Sequence, residues 1–254
     1  MNIQKLGNLS IIMLAVTLSA CGGGSSSTPP APTITTTAEG VYVGTISNGN
    51  SFDGIVLEDG SYYVLSGPLS AAGLLVSGFA QGNGTSSNGS FVSTNLINYL
   101  STGAVVLGSV NASYGANSLS GTVTGGGVAN TFSGTTPTTT TYIYNTAANL
   151  ANITGAWTLA DMQGGNIAMT ISPTGSFTGT GTSGCVFSGT LTPRASGKNV
   201  FNFAATFGAA PCALPNQSFS GIAVDYLLAN GTRQLVAAGV NTVRTAGTSV
   251  FGVR

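Results

Sequence analysis

The sequence predicts an all-β protein: two tandem antiparallel domains, each a small barrel or sandwich, following a lipidated flexible tether. Three observations carry this expectation. Hydrophobic residues make up 42% of the 254 residues, charged residues only 5%, and the net charge is zero. Disordered chains combine few apolar residues with high net charge, so this balance belongs to a chain that buries a core. Polar positions are filled mainly by Gly, Ser, Thr and Asn, interleaved with Val, Ile, Phe and Tyr; the first group makes turns and the second makes strands. Turn dipeptides recur at short intervals between apolar runs, the spacing of a strand meander.

The N-terminus reads as an address. Residues 1–10 are polar with one cation, Lys5, and residues 11–20 (IIMLAVTLSA) are apolar or small. A positive end, a short apolar centre and a small-residue exit describe a secretory signal peptide over 1–20. The apolar run is well short of the roughly 18 to 20 residues that a membrane-spanning helix needs. Leu18-Ser19-Ala20-Cys21 resembles the lipobox of Gram-negative bacterial lipoproteins. The resemblance implies cleavage before Cys21, diacylglycerol on its thiol and an acyl chain such as palmitate on its amine. Stable anchoring takes two such signals, so three acyl chains suffice. Gly22 stands where inner-membrane lipoproteins carry a retaining aspartate, which implies the outer membrane. Residues 21–38 are then a Gly/Ser/Pro tether reaching roughly 20 to 25 Å.

Residues 39–134 are expected to form the N-terminal β domain. Its opening, 41–65, reads as three strands joined at Asn48-Gly49 and Asp59-Gly60, dipeptides that accept the positive φ of two-residue hairpins. Residues 135–148 form the linker, beginning TTPTTTT, and Ala147 to Ile153 is expected to make one helical turn. The C-terminal β domain occupies 149–254; its clearest hairpin surrounds Asn230-Gly231. A duplication is expected between the halves. Gly40, Tyr42, Gly49, Gly60, Ser61 and Tyr62 match Gly155, Trp157, Gly164, Gly175, Ser176 and Phe177 at a constant offset. Further on, Leu119-Ser120-Gly121 is matched to Phe219-Ser220-Gly221 at a shorter offset, which places an insertion in the first half around 81–100.

Catalytic chemistry finds little to work with. The chain has no histidine, which removes the usual base for a Ser or Cys nucleophile and the commonest zinc ligand. Glu58 and Asp59 flank a hairpin turn and are read as turn chemistry. Gly179 to Gly184 spells G-x-G-x-x-G, but a strand follows where a dinucleotide site needs a helix. No enzyme, cofactor, metal or nucleic-acid partner is therefore expected. With Cys21 lipidated, Cys185 and Cys212 remain, and two thiols in an exported chain are expected to pair as a disulfide.

Candidate binding residues come from charge and aromatics. Residues 39–145 carry Glu39, Asp53, Glu58 and Asp59 with no Lys or Arg, whereas the second half holds Arg194, Lys198, Arg233, Arg244 and Arg254. Arg194, Lys198 and Arg233 lie in or beside turns and form a basic patch if those turns share one end. Such a patch suits an anionic glycan, lipopolysaccharide phosphate or the acidic first half itself. Tyr62 and Tyr63 point to opposite strand faces, so one ring is expected at the surface, suited to binding.

The Cys21-Gly22-Gly23-Gly24 tether followed by Gly-rich β repeats loosely resembles two-domain surface lipoproteins such as factor H-binding and transferrin-binding proteins. The resemblance implies a membrane-anchored protein of the cell envelope with a non-enzymatic binding or adhesion role toward a protein or anionic glycan. The alternative is an assembly accessory on the periplasmic face of the outer membrane.

Overall fold

The computed structural model describes residues 37–70, 73–138, 142–228 and 230–254. The signal peptide, Cys21 and all but the last two residues of the tether (21–36) lie outside the described residues, as does part of the linker (139–141). What is described is all-β: two eight-stranded antiparallel barrels in tandem.

The first barrel uses β1 (Gly40–Ile46), β2 (Ser51–Val56), β3 (Ser61–Gly67), β6 (Gly78–Asn83), β8 (Ser90–Leu100), β9 (Val105–Gly115), β10 (Ser118–Gly125) and β11 (Val128–Thr135). It closes through β1 on β11 and β6 on β8. Two excursions decorate it: the pair β4 (Leu69–Ser70) and β5 (Gly73–Leu74), and β7 (Thr85–Ser87) beside β8. The second barrel runs without excursions from β12 (Gly155–Asp161) through β13 (Asn166–Ile171), β14 (Ser176–Gly181), β15 (Val186–Pro193), β16 (Phe201–Phe207), β17 (Ser218–Leu227) and β18 (Arg233–Asn241) to β19 (Gly247–Val253), which pairs back on β12. A 3-10 turn, Leu150–Asn152, precedes it within the stretch expected to be helical.

The hairpins form where turn chemistry dictates. Gly49, Gly60 and Gly231 have φ of 90°, 78° and 83°, a region open to glycine and costly for other residues. Inward residues alternate along each strand, and each barrel holds its own core. The first is built on Tyr42, Phe52, Tyr62, Phe91 and Tyr114; the second on Trp157, Phe177, Phe187, Phe203 and Phe219.

The opening of the duplication has a matching structural counterpart. Tyr42 and Trp157 are both buried on a first strand, and each donates to the carbonyl four residues back, Ala38 and Ile153. The Gly60 carbonyl accepts from Gly84 N–H, and the Gly175 carbonyl likewise accepts from Leu191 N–H. Tyr62 meets Phe91 edge-on, as Phe177 meets Phe187. The later match does not hold. Leu119 lies on β10, the seventh strand of its barrel, whereas Phe219 lies on β17, the sixth. The short Leu/Phe-Ser-Gly string recurs in strands of both ranks because a glycine there lets a neighbouring backbone approach, so it does not mark equivalence. Of the first barrel's excursions, the three-residue β7 falls within the predicted 81–100, whereas β4–β5 lies before it.

The barrels pack side by side into one compact unit. Outward faces of β2, β3, β6 and β8 meet β17, β18 and β19. Phe79, Tyr99, Met162, Ala238 and Val240 form one apolar contact, Ile55, Leu57, Val200 and Ile222 another. Gly247 allows the closest approach: a Cβ there would sit 2.7 Å from both Phe79 Cζ and Tyr99 Cγ. Like ends lie together. The Glu58–Asp59 turn of the first barrel meets Arg194 of the second, and at the other end the turn after β18 reaches Gln81 and Asn95 through Arg244.

Candidate functional site

Eight strands leave a barrel interior just wide enough to be filled by side chains or to hold one small ligand. In the first barrel small inward residues leave it partly unfilled. Gly54, Gly78 and Ala80 face a cavity of about 280 Å³, walled by Val64, Leu96, Val110, Val123 and Phe132. Its floor is polar and closed. Tyr62 Oη and Ser93 Oγ are hydrogen-bonded at 2.9 Å, and Tyr42 donates to Ala38. Burial, partly offset by the Ser93 hydrogen bond, pushes the Tyr62 phenol up to about 12, so it stays neutral and able to donate. Towards the opposite end, where the turns 47–50 and 126–127 lie, the lining changes to Asn48, Asn50, Asn98 and Asn130 with Ser66 and Ser77. Asn98 Oδ1 is buried there without a hydrogen-bond partner. A buried acceptor left unmade costs about 1 to 3 kcal/mol, so a donor reaching it has something to gain.

The second barrel has its own cavity, about 510 Å³, between Phe177, Phe187, Phe203 and Leu235 and the turns at the same end of the molecule. The β8–β9 hairpin tip of the first barrel, residues 101–104, forms part of its lining. At this end Cys185 and Cys212 are bonded, tying the start of β15 to the loop between β16 and β17.

Of the three partners expected for the basic residues, the acidic first half is the one that Arg194 and Lys198 meet. The turns bearing Arg194, Lys198 and Arg233 do share one end of the second barrel, but no free basic patch forms there. Arg194 forks onto Glu58 at 2.6 Å and Asp59 at 2.7 Å; Lys198 pairs with Glu39 at 2.6 Å and lies over the Tyr144 ring. Arg233 pairs with the buried Asp225. The acidic half thus supplies the counter-charges for Arg194 and Lys198, because the linker returns the chain beside the barrel it has just left. Arg244 and Arg254 donate to backbone carbonyls. An anionic ligand at this surface has to displace a partner within the chain. The tyrosine pair is also corrected. Tyr62 is 3% exposed inside the first barrel, and the opposite face packs against the second barrel and leaves Tyr63 half-buried. Alternation sorts faces correctly but says nothing of what covers the outer one. Gly179–Gly181 ends β14 and Gly184 sits in the following turn, the β-turn reading of that glycine string. Cys21 lies outside the described residues.

The cavity itself went unread in the sequence, although Gly54, Gly78 and Ala80 at inward positions of β2 and β6 were the available signal. The geometry defines a class: tandem antiparallel barrels, each with an interior cavity directed to one end. No protein-family model matches the chain, and neither a curated protein nor a solved structure shows significant similarity to it.

Proposed function

We propose that this is a lipid-anchored outer-membrane protein with a non-enzymatic binding role, its first barrel accepting a small apolar ligand that carries a hydrogen-bond donor. The observation behind this reading is the apolar cavity with its asparagine lining and the unpartnered Asn98 Oδ1. Connectivity supports it as well. The tether joins the first barrel at the floor end, so an anchor at Cys21 leaves both cavity mouths at the opposite end. A second reading, an assembly accessory docking onto an envelope protein, draws support from exposed Leu69, Leu75, Leu107 and Val128, all near that mouth end.

Titration of the detergent-solubilised full chain with 1-naphthol and naphthalene tests the first reading. The alcohol binds more tightly, Asn98→Leu removes the difference, and Ala80→Phe, which fills the cavity, abolishes binding of both. Equal binding before and after these changes refutes it. Cys21→Ser is expected to abolish palmitate labelling and release the protein from membranes; retained labelling refutes the anchor.

A further inference from the structure

Carboxylates are few in this chain, and their partners account for all but one. Glu39 pairs with Lys198, Glu58 and Asp59 with Arg194, and Asp225 with Arg233. Asp161 accepts the backbone N–H groups of Gln163 and Gly165. Among the described residues, Asp53 alone has neither ion pair nor hydrogen bond. It stands outward on β2, opposite Val43 on one side and Leu65 on the other. It therefore faces away from the first barrel's interior and into the crevice between the barrels.

That crevice has a volume of about 240 Å³. Its walls are aliphatic, with Val41, Ile55, Ile222 and Val224 among them, and three tyrosines join the lining: Tyr63, Tyr142 and Tyr226. Tyr142 and Tyr226 meet edge-on at 6.3 Å between centroids and 84° between planes. Tyr142 is held by a hydrogen bond to the Asn199 carbonyl. Asp53 is solvent-exposed where it borders the crevice, and its charge adds to the rise that burial causes in the Tyr226 phenol. The Asp53 carboxylate is hydrated and has no cation of the described residues beside it, so a cation entering the crevice from solvent meets an uncompensated charge.

The chemistry that fits is specific. Divalent metal ions need several oxygen ligands, whereas this crevice offers one carboxylate among hydrocarbon and rings. An organic cation carries its own apolar surface, and aromatic faces attract it in addition to the carboxylate. We propose that the crevice between the barrels is a binding site for a small organic ammonium ion, its charge set against Asp53 and its methyl or alkyl groups against Tyr142, Tyr226 and the aliphatic walls. The site is separate from the barrel cavities, so its fate does not depend on theirs.

Choline and its uncharged carbon isostere, 3,3-dimethylbutan-1-ol, give the test, by calorimetric titration of the detergent-solubilised full chain. Choline is expected to bind roughly tenfold more tightly than the isostere. Asp53→Asn brings the two to equal affinity while the melting temperature changes little, since the side chain has no partner to lose. Tyr226→Leu weakens choline more than the isostere. Equal affinities in the unaltered protein overturn the proposal without recourse to any variant. So does a preference that survives Asp53→Asn, or no saturable choline binding up to about 50 mM, beyond the range one ion contact and two rings should reach.

Discussion

Arg194 is where the two barrels meet electrostatically, and its removal has a calculable consequence. Its Nε lies 2.6 Å from Glu58 Oε1, Nη2 lies 2.7 Å from Asp59 Oδ2, and Nη1 lies 3.0 Å from Asn202 Oδ1. The Arg194 side chain is 16% exposed and that of Glu58 30%, whereas Asp59 is 54% exposed. Solvent screening keeps the Asp59 contact to a few tenths of a kcal/mol, while the better-shielded, charge-assisted Glu58 contact contributes about 1 to 2 kcal/mol. Arg194→Ala should therefore destabilise by about 2 kcal/mol, a fall in Tm of about 4 to 8 °C for a domain pair of this size. The pH dependence has a definite sign. Burial alone would raise the Glu58 carboxyl, but hydrogen bonds from Arg194 and Ser196 outweigh it and hold it below its ordinary value. For Asp59 burial is likewise outweighed, by Ser61 and Arg194. Carboxyls depressed in the folded state stabilise it above their unfolded pKa, and the contribution is lost as pH falls through the folded values. The unaltered protein should thus lose stability in the acid range below about pH 4, and Arg194→Ala should flatten that loss. Thermal unfolding of Arg194→Ala, Glu58→Gln and the double variant gives the coupling energy, expected near 1 kcal/mol. A Tm shift under about 1 °C with no coupling would show that the pair is only a solvated surface contact and that docking rests on the apolar patches.

Other expectations follow from single contacts. Reduction of the Cys185–Cys212 bond, or Cys185→Ser with Cys212→Ser, should cost about 3 kcal/mol through the 27-residue separation it closes; an unchanged Tm in reductant refutes this. Trp157→Phe leaves the buried Ile153 carbonyl without its donor, and Tyr42→Phe does the same to Ala38. Each should lower stability by about 1 to 3 kcal/mol in denaturant titrations, and a negligible effect of either argues against equivalent roles. Gly247→Val drives a side chain into Phe79 and Tyr99 and should cost about 1 to 3 kcal/mol by overpacking, with faster cleavage between the barrels by a broad-specificity protease. Unaltered cleavage would place the closest contact elsewhere.

What could be read in advance depended on the range of the interaction. The hairpins at Asn48-Gly49, Asp59-Gly60 and Asn230-Gly231 were legible because the turn's backbone requirement is local and glycine meets it. The pairing of Cys185 with Cys212 followed from there being two thiols left. Alternation placed Tyr62 and Tyr63 on opposite faces, yet the surface covering Tyr63 belongs to β17 and β18, more than a hundred residues away, and leaves no trace in period two. The same holds for Arg194. Charge asymmetry announced an attraction between the halves among other options, but its partners are fixed by how two barrels lie together. The cavity depends on the sum of inward volumes around a closed ring, so Gly54, Gly78 and Ala80 acquire meaning only once β2, β3, β6 and β8 are known to be neighbours.

Ring closure also bears on how so uncharged a chain stays dispersed. A sheet edge offers unpaired N–H and C=O groups to any similar strand, and proteins usually guard such edges with lysine, proline or inward charge. This chain has few charges to spend, and those of the described barrels are mostly engaged with one another or with backbone. Joining β1 to β11, β6 to β8 and β12 to β19 pairs every long strand on both sides over at least part of its length. Among the described residues the strands left unclosed are the three-residue β7 and the two-residue β4 and β5, too short to template a fibre. The hazard therefore lies in the opened state. Strands rich in Val, Thr and Phe with no charge nearby would pair indiscriminately if a barrel came apart, so resistance to aggregation in this protein is set by the stability of its closing seams and not by its surface.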